Sequence, residues 1–412
     1  GERIITIKKN EVIEHGTIVI KDGRIIAIGP LKRVAVPAGA KVLDLSGKTI
    51  MPGIVDLHLH MNNPRYIFPQ QSWMFLVNLA FGVTTARDPR TNLDAYGYAE
   101  LLRTGSMVGP RLFPSGPAVY LPFSILKLDD SHDAIRFIQK RAELGGTFVK
   151  DYLIGDSRLQ REWVLLASRS AGLNATNEGS DGIFDLGMIK DGYPGIEHNP
   201  RWGDVYKDIT SFFALSGIYF TPTLTVSPVE QYGVGKEYFK YKYWHQPNEK
   251  LQRFTFSDPT MGPNYESQES WEQILKAAPA DSLDPEVRIP ATIDARIRHQ
   301  GGKVGLGSHG NDEGIGAHNE LWALQMGGLS NMEALQAATI IGAEAIGIQK
   351  DVGSLEVGKI ADLIVLNKNP LDDIHNSREI KYVMKDGILY DGDTLDELWP
   401  VYKKCPEWKL KH

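Results

Sequence analysis

His58 and His60 stand one residue apart in "GIVDLHLH" (53–60), inside an otherwise apolar run. Read as a strand, Val55, Leu57 and Leu59 face one way, and Asp56, His58 and His60 face the other. Two imidazoles on one face at period two can reach one ion, and imidazole nitrogen suits zinc and its neighbours. A lone His-x-His is a weak signal. It gains weight from ionisable residues that close later apolar stretches: Lys150 in "TFVKDYL", Glu178 in "NATNEG", His198 in "GIEH" and His309 in "KVGLGSH". Burying so many polar groups is costly unless something compensates, and a divalent metal does so.

Lys150 cannot ligate a metal as an ammonium. It either pairs with a carboxylate such as Asp151 or Glu178, or loses its proton through burial and reacts with carbon dioxide to give a carbamate. A carbamate behaves as a long carboxylate and can bridge two metals. Arg87, Asp88 and Tyr152 also fall near strand ends. They suit orienting a substrate carboxylate or carbonyl, and ion pairing within the fold accounts for them equally well. His318, in "GAHNEL", is a candidate for substrate binding, for capping the following helix or for supporting a ligand.

These residues need a scaffold that brings distant strand ends together. Short apolar strands alternate with longer helical stretches through the middle of the chain, which signals parallel α/β architecture. Eight candidate strands fall at 53–60, 82–88, 111–116, 147–153, 174–179, 195–198, 218–224 and 303–309. Helical patterns such as "SHDAIRFIQKRAELGG" and "SRLQREWVLLASRSAG" lie between them. Eight β/α units predict a (β/α)8 TIM barrel over 51–350, in which inward residues at the C-terminal strand ends face the active site. An open doubly wound sheet is the alternative, but the Gly-rich phosphate loop expected after its first strand is missing.

Both chain ends read as short strands and turns, at 16–29, 40–53, 361–366 and 380–392. "KDGRI" and "KDGIL" echo each other as Asp-Gly hairpins. One small β-sandwich domain built from 1–50 and 351–400 is expected, which the chain leaves and re-enters. Residues 225–290 break the β/α alternation. This insertion is rich in aromatics, among them Tyr238, Tyr243, Trp244 and Trp271, and reads as a lid or binding loop.

Bulk composition narrows the function. The formal charge is −6 with no long basic run, which argues against nucleic acid or an anionic membrane as partner. No stretch is long and apolar enough to cross a bilayer. Cys405 is the only cysteine, so an internal disulfide and a zinc-finger site are both excluded. The opening "GERIITI" reads as a strand and not a signal peptide, so the compartment stays open between cytoplasm and periplasm. The chain reads equally as a piece of something longer.

With these residues in hand, the chain resembles the amidohydrolase superfamily. The matching pieces are "MPGIVDLHLH", "GVTTARD", "FVKDY", "GIEH", "YFTPTL" and the tail "GGLSNMEALQAATIIGAEAIG" with "VGSLEVGKIADLIVLNKNPLDDI". The tail is typical of imidazolonepropionase- and prolidase-like members. "QSWMFLVNLAFGVTTARDP", "TNEGS", "GLGSHG" and "MKDGILYDGDTLDELWP" are similar to the amidohydrolase domain of proteins that carry a TolB-like β-propeller ahead of it. The resemblance implies a metal centre of one or two divalent ions, zinc first and manganese or iron next. His58, His60, Lys150 and His198 match the family's ligand positions directly. Glu178 stands where the family has a histidine, and His309 where it has the aspartate that shuttles protons. As a neutral imidazole, His309 can ligate or move a proton near neutrality, and Asp312 or Glu313 can supply the missing carboxylate.

The implied reaction is metal-activated hydrolysis of an amide or peptide-like C–N bond in a small molecule or short peptide. Alternatives are a catalytically reduced ligand-binding barrel, or an ester or lactone hydrolase or a deaminase of the same superfamily. A homo-oligomer and a TolB-like propeller are the protein partners the resemblance suggests.

Overall fold

The computed structural model describes residues 3–61, 63–64, 66–119, 128–153, 158–179, 182–199, 205–225, 250, 253–254, 285–310 and 313–408. It is a mixed α/β fold. A seven-stranded sheet takes strands from both chain ends: β1 (Arg3–Ile5), β2 (Val12–Glu14) and β5 (Thr49–Pro52) join β14 (Leu363–Leu366), β15 (Ile380–Lys385), β16 (Ile388–Asp391) and β17 (Glu397–Trp399). The seam between the two ends is the antiparallel pair β5–β14, with Ile50 opposite Val365. Beside this sheet lies the hairpin β3 (Gly16–Lys21) and β4 (Arg24–Pro30). Ile4, Ile25, Ile50, Leu363 and Met384 form the small core the two share.

The two Asp-Gly motifs are indeed the tight turns of hairpins. Asp22 and Gly23 have φ of 50° and 74°, and Asp386 and Gly387 have 52° and 79°. Positive φ at both central residues is what a two-residue type I′ loop requires. The turns also abut each other, since a Cβ on Gly387 would meet Gly23 Cα at 2.5 Å. The expected strand before residue 49 is absent: 40–48 is irregular and mostly exposed.

Gly53 carries the chain from this sheet into the α/β body. The Thr84 side chain packs where a Cβ of Gly53 would be. Eight short strands follow: β6 (Ile54–Asp56), β7 (Val83–Asp88), β8 (Arg111–Pro114), β9 (Phe148–Asp151), β10 (Asn174–Glu178), β11 (Gly195–Glu197), β12 (Tyr219–Thr221) and β13 (Lys303–Val304). Each falls inside a segment expected from the sequence. They form parallel sheets of three strands (β6–β8) and five (β9–β13). Single parallel bridges join the two sheets at both seams, Leu59 with His309 and Val119 with Asp151. Every residue of β7 and of β9 is buried, as expected of parallel strands covered on both faces.

The helices between strands are amphipathic where the sequence says so. Ser131–Glu143 buries Ala134, Ile138 and Arg141, a single stripe, and Asp130 caps its N-terminus by accepting from the Asp133 N–H. It packs against Arg158–Ser170. Arg111 ties the two parts of the molecule together, pairing from β8 with Asp362 and Asp386. Most of the aromatic insertion at 225–290 lies outside the described residues. Within it Phe254 is buried and its ring lies 5.4 Å from that of Trp408. No helix among the described residues is long and apolar enough to cross a membrane.

Candidate metal centre

Four histidine rings meet at the C-terminal ends of the parallel strands. His58 and His60 come from the extension of β6, His198 follows β11 and His309 follows β13. Ring centroids lie 4.6 Å apart for His58 and His198, 5.0 Å for His58 and His309, and 4.7 Å for His60 and His309. One ring nitrogen each from His58, His198 and His309 fall within 4.8 Å of one another. The local backbone explains how. The segment leaving β13 carries glycine at 305 and 307, where a Cβ would collide with Leu57 at the first and with Thr221 and His58 Cβ at the second. His198, Thr223 and His309 all adopt positive φ, at 69°, 50° and 66°. Such backbone is costly for non-glycine residues, above all for β-branched Thr223, and strain of this kind gathers at functional sites.

Three of the four histidines have a supporting partner among the contacts seen here. His58 Nδ1 lies 2.8 Å from Glu197 Oε2, which leaves Nε2 facing His60 Nε2 at 3.1 Å. Glu197 is fully buried and is paired with the Arg87 guanidinium, which also donates through Nε to Leu57 O at 2.7 Å. The Thr223 hydroxyl donates to Pro222 O, so it accepts from His198 Nδ1 at 2.6 Å. His198 Nε2 then faces Glu178 Oε1 at 3.1 Å. His60 Nδ1 lies 3.8 Å from Asp88 Oδ1. Asp56 straps the site from below, its Oδ1 accepting from the His58 and Ser308 N–H groups.

Lys150 is fully buried, and its Nζ lies 2.7 Å from Glu178 Oε2. The two atoms are close but not aligned as a hydrogen bond. Of the two carboxylates considered for Lys150, the structure thus selects Glu178. Asp151 turns the other way, accepting from the Tyr193 hydroxyl at 2.6 Å and from Asn177. Burial alone would raise the Glu178 carboxyl, but Lys150 and then His198 hold it well below the usual carboxylate range. Burial, and then the charge of Lys150 and the other histidines, pushes His58 well below its ordinary value.

These residues fit a divalent ion. Ligation needs unprotonated imidazole, and burial keeps His58 in that form. The ring nitrogens converge, and the outer nitrogens of His58 and His198 are held by a carboxylate and a hydroxyl, the arrangement that orients metal-binding histidines.

Three expected site residues do other work. Arg87, considered for substrate, is 4% exposed and committed to Glu197. His318 is buried away from the cluster, with Nδ1 3.0 Å from Ser377 Oγ and Nε2 2.9 Å from Phe81 O, and is a core histidine that joins Gly316–Met326 to its neighbours. Glu313 accepts from Asn78 Nδ2 and so is anchored to the helix Trp73–Ala80. Tyr152 does stand beside the centre, its ring 5.1 Å from Lys150 Nζ. Asp312 lies outside the described residues. Glu197 was missed by sequence reasoning. Strict alternation puts residues 197 and 198 on opposite faces, and only the positive φ of His198 brings both inward. The available signal was an acid inside an apolar strand, which demands a partner.

Comparison with known proteins agrees with this architecture. Residues 283–389 match the amidohydrolase family model. The imidazolonepropionase of Symbiobacterium thermophilum is 25% identical over 398 residues, covering 89% of this chain and 86% of the relative. The enamidase of Eubacterium barkeri is 37% identical over 79 residues, 19% of this chain and 20% of the relative. Among solved structures, a Xaa-Pro dipeptidase superposes with a TM-score of 0.70 at 20% identity, covering 95% of this chain and 98% of that one. The matched segment and the relatives support an amidohydrolase superfamily member, and the solved structure shares the fold.

Proposed function

We propose that this chain is a metal-dependent hydrolase that cleaves an amide or peptide-like C–N bond, with its eight parallel strands forming the wall of a (β/α)8 barrel. The observation that carries the reading is the convergence of His58, His198 and His309 from three separate strand ends. His60 and Glu178 stand at the same centre and complete the donor set. An imidazole and carboxylate set suits zinc, with manganese and iron as alternatives. When bound, a divalent ion supplies a water of pKa about 7 and polarises a carbonyl.

The chain's own residues do the rest. Glu197 and Arg87 fix the ring orientation of His58, and Thr223 fixes that of His198. With the ion held by the other donors, we assign to an unligated His309, the least buried of the three, acceptance of the proton of the attacking water and its delivery to the leaving nitrogen. Asp312 is the carboxylate that would share this task. We assign Tyr152, at the edge of the centre, to substrate binding. With one ion, Lys150 remains the cation that fixes Glu178. With two, it serves as a carbamate, a modification that its full burial favours.

The test is turnover of a panel of amides, N-acyl amino acids, esters and lactones by metal-loaded protein, with product analysis. Amide cleavage that falls at least about 100-fold in His58→Ala and His309→Ala supports the reading. Turnover of esters or lactones alone removes the C–N assignment. No turnover by folded, metal-loaded protein favours a ligand-binding barrel.

A further inference from the structure

The guanidinium expected to meet substrate at position 87 is spent on Glu197. Three residues on, Arg90 offers another. It lies just past β7 and is exposed. Its backbone N–H donates to Asp88 Oδ1 at 3.4 Å, and Asp88 also accepts from Met61 N at 3.3 Å and faces His60. One carboxylate thus places both Arg90 and a histidine of the centre. The Arg90 guanidinium lies 5.5 Å from the centroid of the Tyr152 ring. Lys150 Nζ approaches the same ring at 5.1 Å. Tyr152 therefore connects the buried Lys150–Glu178 pair to an exposed cation at the rim. The neighbouring arginines Arg87, Arg103 and Arg111 each reach a carboxylate, whereas among the described residues no ion pair holds Arg90.

We propose that Arg90, with the Tyr152 hydroxyl beside it, is the subsite for a substrate carboxylate. The substrate class is then an amide that carries a free carboxylate close to the bond cleaved, such as an N-acyl amino acid or the C-terminal unit of a short peptide. A guanidinium is a planar fork that matches a carboxylate in two parallel hydrogen bonds, and it stays charged at any working pH. The aromatic ring beside it limits its rotamers and so lowers the cost of ordering it. This inference rests on the histidine cluster being the hydrolytic centre.

The experiment is calorimetric binding of N-acetyl-L-phenylalanine and N-acetyl-L-phenylalaninamide, with turnover of the same pair measured in parallel. Both use metal-loaded wild type, Arg90→Gln, Arg90→Lys and Tyr152→Phe. Wild type is expected to bind the acid at least about tenfold more tightly than the amide. Arg90→Gln loses that preference while its melting temperature stays unchanged, and Arg90→Lys keeps part of it. Any turnover by Arg90→Gln loses more through KM than through kcat. Equal binding of the two probes, no binding of either, or a preference that survives in Arg90→Gln overturns the assignment. Amide turnover without a carboxylate preference sinks this inference and leaves the hydrolase reading standing. An Arg90-dependent preference without turnover of any amide does the reverse.

Discussion

Glu197 Oε2 lies 2.8 Å from His58 Nδ1, and the same buried carboxylate is paired with the Arg87 guanidinium. The consequence is a fixed tautomer. With the proton on Nδ1, His58 turns its Nε2 lone pair toward His60 and the rest of the cluster. Glu197→Gln keeps the shape but weakens the acceptor, and metal affinity is expected to fall about 10- to 100-fold. Glu197→Ala also strands a buried guanidinium and costs about 3–5 kcal/mol of stability. Chelator competition reads the first effect and a urea midpoint the second. Unchanged metal affinity in Glu197→Gln would remove the orienting role.

Lys150 and Glu178 form the second buried relationship at the centre. Glu178 has a depressed carboxyl value in the fold, so its contribution to stability is present above the ordinary glutamate range and is lost as pH falls. Lys150→Met removes the main cause of that depression. The variant is expected to be less stable than wild type near neutrality and to lose less of its remaining stability on acidification. Urea midpoints measured from pH 7 down to pH 3 check this, and parallel curves for the two proteins would contradict it. Intact mass of the wild type, measured under native conditions in bicarbonate buffer, shows whether Lys150 carries carbon dioxide.

His318 sets a separate acid limit. Burial holds it neutral, with a value pushed down to about 3 from an ordinary 6.5. A histidine with a lowered value binds fewer protons folded than unfolded, so stability falls as pH drops from about 6.5 toward 3. The effect is on the order of a few kcal/mol. His318→Gln is expected to flatten this part of the stability curve, while the metal affinity of the centre is unchanged at pH 7. A loss of metal binding in that variant would mean that His318 belongs to the centre after all.

Much of this was legible in the sequence, for reasons that differ by residue. Most of the eight strands stood out because they are short runs with helical patterns between several of them, and burial on both faces of β7 and β9 leaves no alternation to confuse the reading. His58, His60, Lys150, Glu178, His198 and His309 stood out because ionisable residues at apolar strand ends are costly and so conspicuous. The two Asp-Gly turns were legible because type I′ loops demand positive φ. The roles of Arg87, His318 and Glu197 were not. A buried arginine and a substrate-facing one look alike in one dimension, and only the position of Glu197, 110 residues away, separates them. His318 has ligand chemistry, but its helix turns it toward Phe81 and Ser377.

The most direct test of the metal-centre account is metal content by plasma mass spectrometry. Wild type and His58→Ala are purified without added metal or chelator, then measured again after loading with zinc. The account predicts about one or two equivalents per chain in the wild type and loss of most of it in His58→Ala. One equivalent fits Lys150 as the partner of Glu178, and two fit a carbamate on Lys150. A folded wild type that holds no metal even after loading, or a His58→Ala protein that holds as much as wild type, would contradict the claim that these histidines form a metal centre.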